Sequence, residues 1–230
     1  MKYSIVIPCY NEENNLKHLI KRLIEYRQGK DIEYVLVENG STDSSYNILL
    51  ELTEQVSYIK VVKVDINQGY GYGLGQGILA ASGEYVGWLH ADLQVSLEDM
   101  NVFFDYLEHN NYPEKIMLKG TRHNRSFVEY FFTWGMAIFE TLLFLKPLYD
   151  ISAIPVLFHH KLVEDMRNMP NGFEIELYAY YKAKKNRYDL VRFPIKMQER
   201  VNGKSSWNTG FVSRIKQSWR IIKASFEIVR

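Results

Sequence analysis

Runs of β-branched and aromatic residues alternate with segments whose apolar positions recur every three or four residues. Residues 3–8 are a short apolar run stopped by proline, which reads as a buried strand. A polar turn at 10–14 precedes Leu16, Leu19, Ile20, Leu23 and Ile24, one face of an amphipathic helix. Residues 33–38 form a second strand. A turn at 39–43 caps a helix over about 44–54, and residues 59–65 form a third strand. This strand–helix rhythm predicts a parallel sheet with right-handed crossovers.

Five glycines at alternate positions follow, Gly69 to Gly77. They predict a loop, either one that lets backbone approach a ligand or one that is merely flexible, with a helix resuming at 78–82. The spacing is a poor dinucleotide fingerprint, because it follows the third strand rather than the first. Residues 85–89 are a short buried strand ending in His90-Ala91-Asp92-Leu93-Gln94. If the chain stays extended, alternation sends 90, 92 and 94 to one side, at the sheet end where ligand crevices lie in open α/β folds. A hard cation that also grips a diphosphate needs only one or two carboxylates. The hexapeptide 89–94 therefore reads as a metal–diphosphate site, or as an Asp-capped turn.

Further on, Ser96 caps a helix over 97–110, and residues 116–118 are a strand running into 120–125. Residues 127–145 are strongly apolar but interrupted by Glu129, Gly135 and Glu140. They read as a buried helix, with a helix lying on a membrane as the alternative. The segment at 149–153 leads to a strand ending at Phe158. A helix opens at 171–177 and runs to about 185, a last strand spans 188–198, and residues 199–207 are a polar loop. Val212, Ile215, Trp219, Ile222, Phe226 and Val229 then mark the apolar stripe of a basic amphipathic helix. It is read as packing on its own domain or on a twin subunit, ahead of docking on anionic lipid.

Composition narrows the field. A chain of 230 residues, 47% hydrophobic and 24% charged, suits one α/β domain with a substantial core. A net charge of +1 implies no general field for polyanions, so nucleic acid is not an expected partner. The single cysteine, Cys9, rules out an internal disulfide and a cysteine zinc cluster. Neither a signal-peptide pattern nor an apolar run of spanning length is read, so a cytoplasmic location, extending to the inner face of a membrane, is expected.

Six segments occur in order across nearly the whole chain: 4–12 (Ser-Ile-Val-Ile-Pro-Cys-Tyr-Asn-Glu), 37–43 (Val-Glu-Asn-Gly-Ser-Thr-Asp), Asn67-x-Gly69-x-Gly71, 91–94 (Ala-Asp-Leu-Gln), 172–177 (Gly-Phe-Glu-Ile-Glu-Leu) and Arg200-x-x-Gly203-Lys204-Ser205. Together they resemble family 2 glycosyltransferases of the GT-A fold, and within these the polyprenyl-phosphate sugar synthase branch. The resemblance implies a single α/β GT-A domain over 1–207, with a mostly parallel central sheet flanked by helices. A C-terminal amphipathic helix over 208–230 completes it. It implies an inverting transfer from a nucleoside-diphosphate sugar to a polyprenyl phosphate or a glycan acceptor.

Its site residues carry over by position. Pro8, Tyr10 and Glu12 line the nucleotide, Glu38 accepts from the base, and Asn67, Gly69 and Ala91 approach the nucleotide. Asp92, with Gln94 and His90, anchors Mn²⁺ or Mg²⁺, which stabilises the leaving diphosphate. Glu174 occupies the place of the catalytic base, and Glu176 is read as structural. Arg122, Arg125, Arg200 and Lys204 are the cations for an anionic acceptor. Asp150 falls on the acceptor side without an assigned role.

Three departures stand out. His90 replaces the first carboxylate of the usual Asp-x-Asp, and imidazole suits Mn²⁺ better than Mg²⁺. Asn39 replaces an acidic residue, and the glycine run lacks a basic residue. The competing reading is a non-catalytic nucleotide-sugar binding module. A nucleotidyltransferase or a dehydrogenase would want a glycine-rich loop directly after the first strand, where Cys9-Tyr10-Asn11-Glu12 stands instead.

Overall fold

The computed structural model describes residues 1–122, 127–196, 198 and 211–229. A seven-stranded sheet is built from β1 (Tyr3–Cys9), β2 (Ile32–Asn39), β3 (Ile59–Val64), β4 (Tyr85–Trp88), β5 (Ile116–Arg122), β6 (Val156–His159) and β7 (Asp189–Ile195). Their order across the sheet is β3-β2-β1-β4-β6-β5-β7. Only β6 runs against its neighbours. The helices are α1 (Glu13–Arg27), α2 (Ser45–Thr53), α3 (Tyr70–Ala80), α4 (Asn101–His109), α5 (Phe127–Phe144), α6 (Lys161–Asp165), α7 (Ile175–Lys185) and α8 (Phe211–Val229).

This is the mostly parallel GT-A sheet that the sequence leads one to expect. All eight residues of β2 are buried, as befits a strand covered on both faces. Leu16, Leu19, Ile20 and Leu23 of α1 enter the core together with Tyr26, whereas Ile24 stays at the surface. The chain leaves β1 towards β2 on one side, while β4 pairs with β1 on the other. The crevice of an open α/β sheet lies at such a reversal.

Several expectations are corrected. The glycine run is not a loop: α3 begins at Tyr70, directly after Gly69. Each helical glycine costs about 1 kcal/mol against alanine, and close packing explains the choice. A Cβ on Gly73 would meet the Asn39 side chain at 2.5 Å, and one on Gly77 would meet Val6 at 2.2 Å. The extended form does not persist past β4, because residues 91–92 turn and Leu93 takes a positive φ of 50°. Residues 90, 92 and 94 are therefore not placed by strand alternation. The helix expected over 97–110 is a 3₁₀ turn (Leu97–Met100) followed by α4, with the Ser96 hydroxyl accepting from the Glu98 amide as anticipated.

The two apolar helices also differ from their readings. Where its side chains are described, α5 turns Ala137, Glu140 and Phe144 inward but leaves Trp134, Ile138 and Leu142 exposed, so that part is only half covered. In the described part of α8 the buried positions are Ala224 and Ser225, flanked by half-buried Ile221 and Ile228. Trp219 and Phe226, expected on the packed stripe, are 67% and 49% exposed. Among the described residues no helix is long and apolar enough to cross a membrane.

Candidate functional site

The carboxyl ends of β1, β2 and β3 are laced together by short polar side chains. Beyond β1, Asn11 takes a positive φ of 55°. Its amide donates to the Ser41 hydroxyl at 3.1 Å, and its Oδ1 accepts from the Thr42 amide at 2.9 Å. The Glu12 amide donates to Ser45 Oγ at 2.9 Å, while Glu12 Oε2 accepts from the Asn15 side chain. Glu38, buried at the end of β2, accepts from the Ser41 amide at 2.6 Å. Pro8 is half-buried beside this turn, and the Tyr10 ring is 46% exposed. Burial raises the Cys9 thiol well above its usual range, and the Glu12 and Glu38 carboxylates add to the shift. Cys9 is therefore held as an inert thiol.

Two asparagines tie β2 to the segment after β3. Asn67 Nδ2 donates to the Asn39 carbonyl at 2.8 Å, and Asn39 Nδ2 donates to the Gly69 carbonyl at 3.1 Å. Asn67 Oδ1 accepts from the Gly69 amide. Gly69 holds φ +116°, and a Cβ there would meet the Asn171 carbonyl at 2.4 Å, so glycine is required on both counts. The Tyr72 amide donates to that same carbonyl at 3.1 Å, which docks the start of α3 on the segment leading to α7.

The 89–94 segment lies alongside. The Leu89 amide donates to the Val6 carbonyl, and Ala91 is buried. Asp92 Oδ1 accepts from the Gln94 amide at 3.1 Å, closing an Asx turn. The Asp-capped turn is thus present, and the carboxylate serves it. Gln94 and Gln198 exchange two bonds: the Gln198 amide donates to the Gln94 carbonyl at 2.7 Å, and Gln94 Nε2 donates to the Gln198 carbonyl at 3.3 Å. The chain beyond β7 is thereby held against this turn.

Around this turn the structure adds Tyr70 and Trp88, which the sequence reading did not single out, to Glu176 and His90. Glu176 in α7 is buried, and its Oε1 accepts from Trp88 Nε1 at 3.0 Å and from the Tyr70 hydroxyl at 3.1 Å. That hydroxyl also lies 3.3 Å from His90 Nε2. The Tyr70 ring stacks on Phe173 at 4.7 Å and meets the His90 ring edge-on. Burial first, then Glu176 and Asp92, hold the Tyr70 hydroxyl well above its usual range, so it keeps its proton. Glu174, the residue before α7, folds its carboxylate against Gly172.

In the loop that precedes β6, three donors grip alternate carbonyls. Tyr180 Oη donates to Pro147 O, Arg192 Nη2 to Tyr149 O, and Lys119 Nζ to Ile151 O. Both cations also lie over the Tyr180 ring, at 5.4 and 5.7 Å. Asp150 is buried inside this loop with φ +44°. Arg122 ends β5, where its backbone pairs with Ile195. Arg125, Arg200 and Lys204 lie outside the described residues.

The donor set bears on a cation. Residues 90–94 offer an imidazole, a carboxylate and an amide. Among the described residues no cluster of three or more His, Cys, Asp or Glu side chains is placed to hold a metal ion. That composition fits a cation held jointly with phosphate oxygens and water rather than by a protein cage.

The fold and the polar edge define a single-domain α/β protein of GT-A architecture. The profile named Glycosyl transferase family 2 matches residues 4–214, and the chain belongs to that family. It is 27% identical over its whole length to the dolichol-phosphate mannosyltransferase of Pyrococcus furiosus, of which the match covers 66%. Over 43% of the chain it is 36% identical to an undecaprenyl-phosphate 4-deoxy-4-formamido-L-arabinose transferase of Enterobacter, covering 31% of that protein. The chain thus spans two thirds or less of these two relatives. Among solved structures it superposes on glucosyl-3-phosphoglycerate synthase from Mycobacterium tuberculosis, in complex with Mn²⁺, UDP and glucosyl-3-phosphoglycerate. The TM-score is 0.71 at 17% identity, covering 99% of this chain and 80% of that one.

Proposed function

We propose that the chain is an inverting glycosyltransferase that moves a sugar from a nucleoside diphosphate to a polyprenyl phosphate or a lipid-linked glycan acceptor. The observation carrying this reading is the convergence, at one sheet edge, of the Asn39–Asn67 lacing, the Glu38 turn and the Asp92 turn in a family 2 chain. The exposed Tyr10 ring is the surface for a base, and Glu12 and Glu38 are acceptors for ribose and base. The backbone at Asn67, Gly69 and Ala91 approaches the nucleotide. Asp92, with His90 and Gln94, holds the cation, Mn²⁺ in preference to Mg²⁺ because of the imidazole. A bound cation neutralises the diphosphate as it leaves. Glu174 removes the proton from a hydroxyl acceptor, whereas a phosphate acceptor is already an anion and uses the cationic side chains instead. Arg122, Arg125, Arg200 and Lys204 are proposed for that task.

The lipid side of the reading rests on what α5 and α8 leave uncovered. Trp219, Lys223 and Phe226 share one outward stripe of α8 beside Arg220, the mixture that suits an anionic bilayer surface. The exposed apolar face of α5 borders a cavity of about 500 Å³ lined by Trp134, Ile138, Leu142, Leu148 and Leu190, with Lys184 among its walls. The names of the relatives, dolichol-phosphate and undecaprenyl-phosphate transferases, support the same class of acceptor. Flotation with vesicles containing anionic lipid tests this, with binding expected for the wild type and lost in Trp219→Ser/Phe226→Ser. Unchanged flotation of the double variant removes the membrane contact, and a dimer that covers these residues in light scattering replaces it.

A thermal-shift panel of nucleoside diphosphates, with and without Mn²⁺ and Mg²⁺, tests the donor side. A ligand at a hundred times its Kd stabilises the native state by about 2.7 kcal/mol, roughly 5–10 °C for a chain of this size. The metal-dependent part of the shift should vanish in Asp92→Ala. The non-catalytic alternative, motivated by His90, gains if a nucleotide sugar binds with Mn²⁺ yet its sugar–phosphate bond is never broken, with any acceptor or with water.

A further inference from the structure

Tyr70 is the first residue of α3, and contacts with three residues fix its ring and hydroxyl. The ring stacks on Phe173 at 4.7 Å with 15° between planes, and it meets the His90 ring at 89°. The hydroxyl sits between two groups, Glu176 Oε1 at 3.1 Å and His90 Nε2 at 3.3 Å. A phenol has one proton to give and can accept in return. Glu176 Oε1 already receives the indole N–H of Trp88 at 3.0 Å, so this buried oxygen acts as an acceptor of two converging donors. The phenol is the donor to that oxygen, so its one proton points to Glu176. The remaining contact requires His90 Nε2 to carry a proton and donate it to the Tyr70 oxygen. In a neutral imidazole the lone pair then sits on Nδ1.

We infer that Tyr70 is a positioning residue: its hydroxyl couples Glu176 to His90, fixes the imidazole as the Nε2–H tautomer and makes Nδ1 the nitrogen offered to the cation. The inference rests on the proposed metal–diphosphate reading of residues 90–94 for its last step alone. It gives Glu176 a task beyond packing, and it explains how a histidine can serve where the family has a carboxylate. A ligating imidazole is oriented by the hydrogen bond that its other nitrogen makes, and loss of such a partner costs about 10–100-fold in metal affinity.

Two readouts test it on the intact chain. Long-range ¹⁵N–¹H spectra of the histidine-labelled, metal-free protein report the tautomer, with the His90 signals identified by their loss in His90→Asn. The wild type should show His90 protonated at Nε2, and Tyr70→Phe, which keeps the ring stacked on Phe173, should shift the nitrogens towards a mixture. Mn²⁺ uptake in the presence of inorganic diphosphate, followed by electron paramagnetic resonance, should weaken about tenfold in the same variant, with its melting temperature confirming that it folds. A wild-type His90 protonated at Nδ1, or a Tyr70→Phe protein with an unmoved tautomer or an unmoved Mn²⁺ affinity, overturns the proposal. Mn²⁺ affinity unchanged in Asp92→Ala overturns instead the underlying metal reading, and the tautomer measurement stands apart from that outcome.

Discussion

Glu140 joins α5 to α8 from a fully buried position. Its Oε1 accepts from the Ser225 hydroxyl at 2.7 Å, and its Oε2 has no hydrogen-bond partner among the described residues. Burial pushes its pKa up to about 7 from an ordinary 4.5, with the Ser225 bond pulling weakly the other way. The folded state therefore holds a proton that the unfolded chain releases between about pH 4.5 and 7. Stability from this group is fully present below the lower value and is lost as pH rises through the upper one. At about 1.4 kcal/mol per pKa unit, the loss between pH 5 and pH 8 is at most about 2.5 kcal/mol. Glu140→Gln removes the titration. A glutamine amide at the orphaned position has its own cost, but that cost is the same at both pH values and cancels in the difference. Urea unfolding of both proteins at pH 5, 6, 7 and 8 should give a wild-type curve that falls relative to the variant across this window and runs parallel above it. Curves parallel from pH 5 to pH 8 would refute the reasoning.

Other consequences follow from the site's scaffolding. Gly73→Ala should lower stability by about 1–2 kcal/mol despite alanine's helix propensity, because the new methyl displaces Asn39 from its bond to Gly69. Nucleotide-induced thermal shifts should shrink with it, and a stabilised variant would contradict the packing. Trp88→Phe deletes one of the two donors to Glu176 Oε1 and should cost about 1–3 kcal/mol in chemical denaturation. Arg192→Met removes one bond to the Tyr149 carbonyl and should speed amide exchange over residues 148–151. Donor binding should stay unchanged in that variant, and a loss of nucleotide affinity would show that the two sides of the site are not separate.

Much of the frame is legible in the sequence because it is local. The apolar face of α1 and the buried runs of β1 and β2 announce themselves by periodicity alone. The glycine run misleads because helix propensity opposes it, and only contacts with Val6, Asn39 and Asn171, distant in sequence, make small residues necessary. The stripe on α8 misleads in another way. Its apolar spacing is genuine, but the domain buries Ala224 and Ser225 and leaves Trp219 and Phe226 outside. Asp92 can be found from its neighbours, whereas Tyr70 cannot, since its partners His90 and Glu176 lie 20 and 106 residues away. Tyrosine beside a glycine run carries no signal of its own.

The central claim is that a cation bridged by Asp92 grips the donor's diphosphate at the sheet edge beyond β4. Anomalous diffraction from a crystal grown with Mn²⁺ and the nucleoside diphosphate giving the largest thermal shift tests it most directly. The account predicts a manganese peak bonded to the Asp92 carboxylate and to oxygens of both phosphates. A diphosphate bound with its metal elsewhere, out of reach of Asp92, contradicts it.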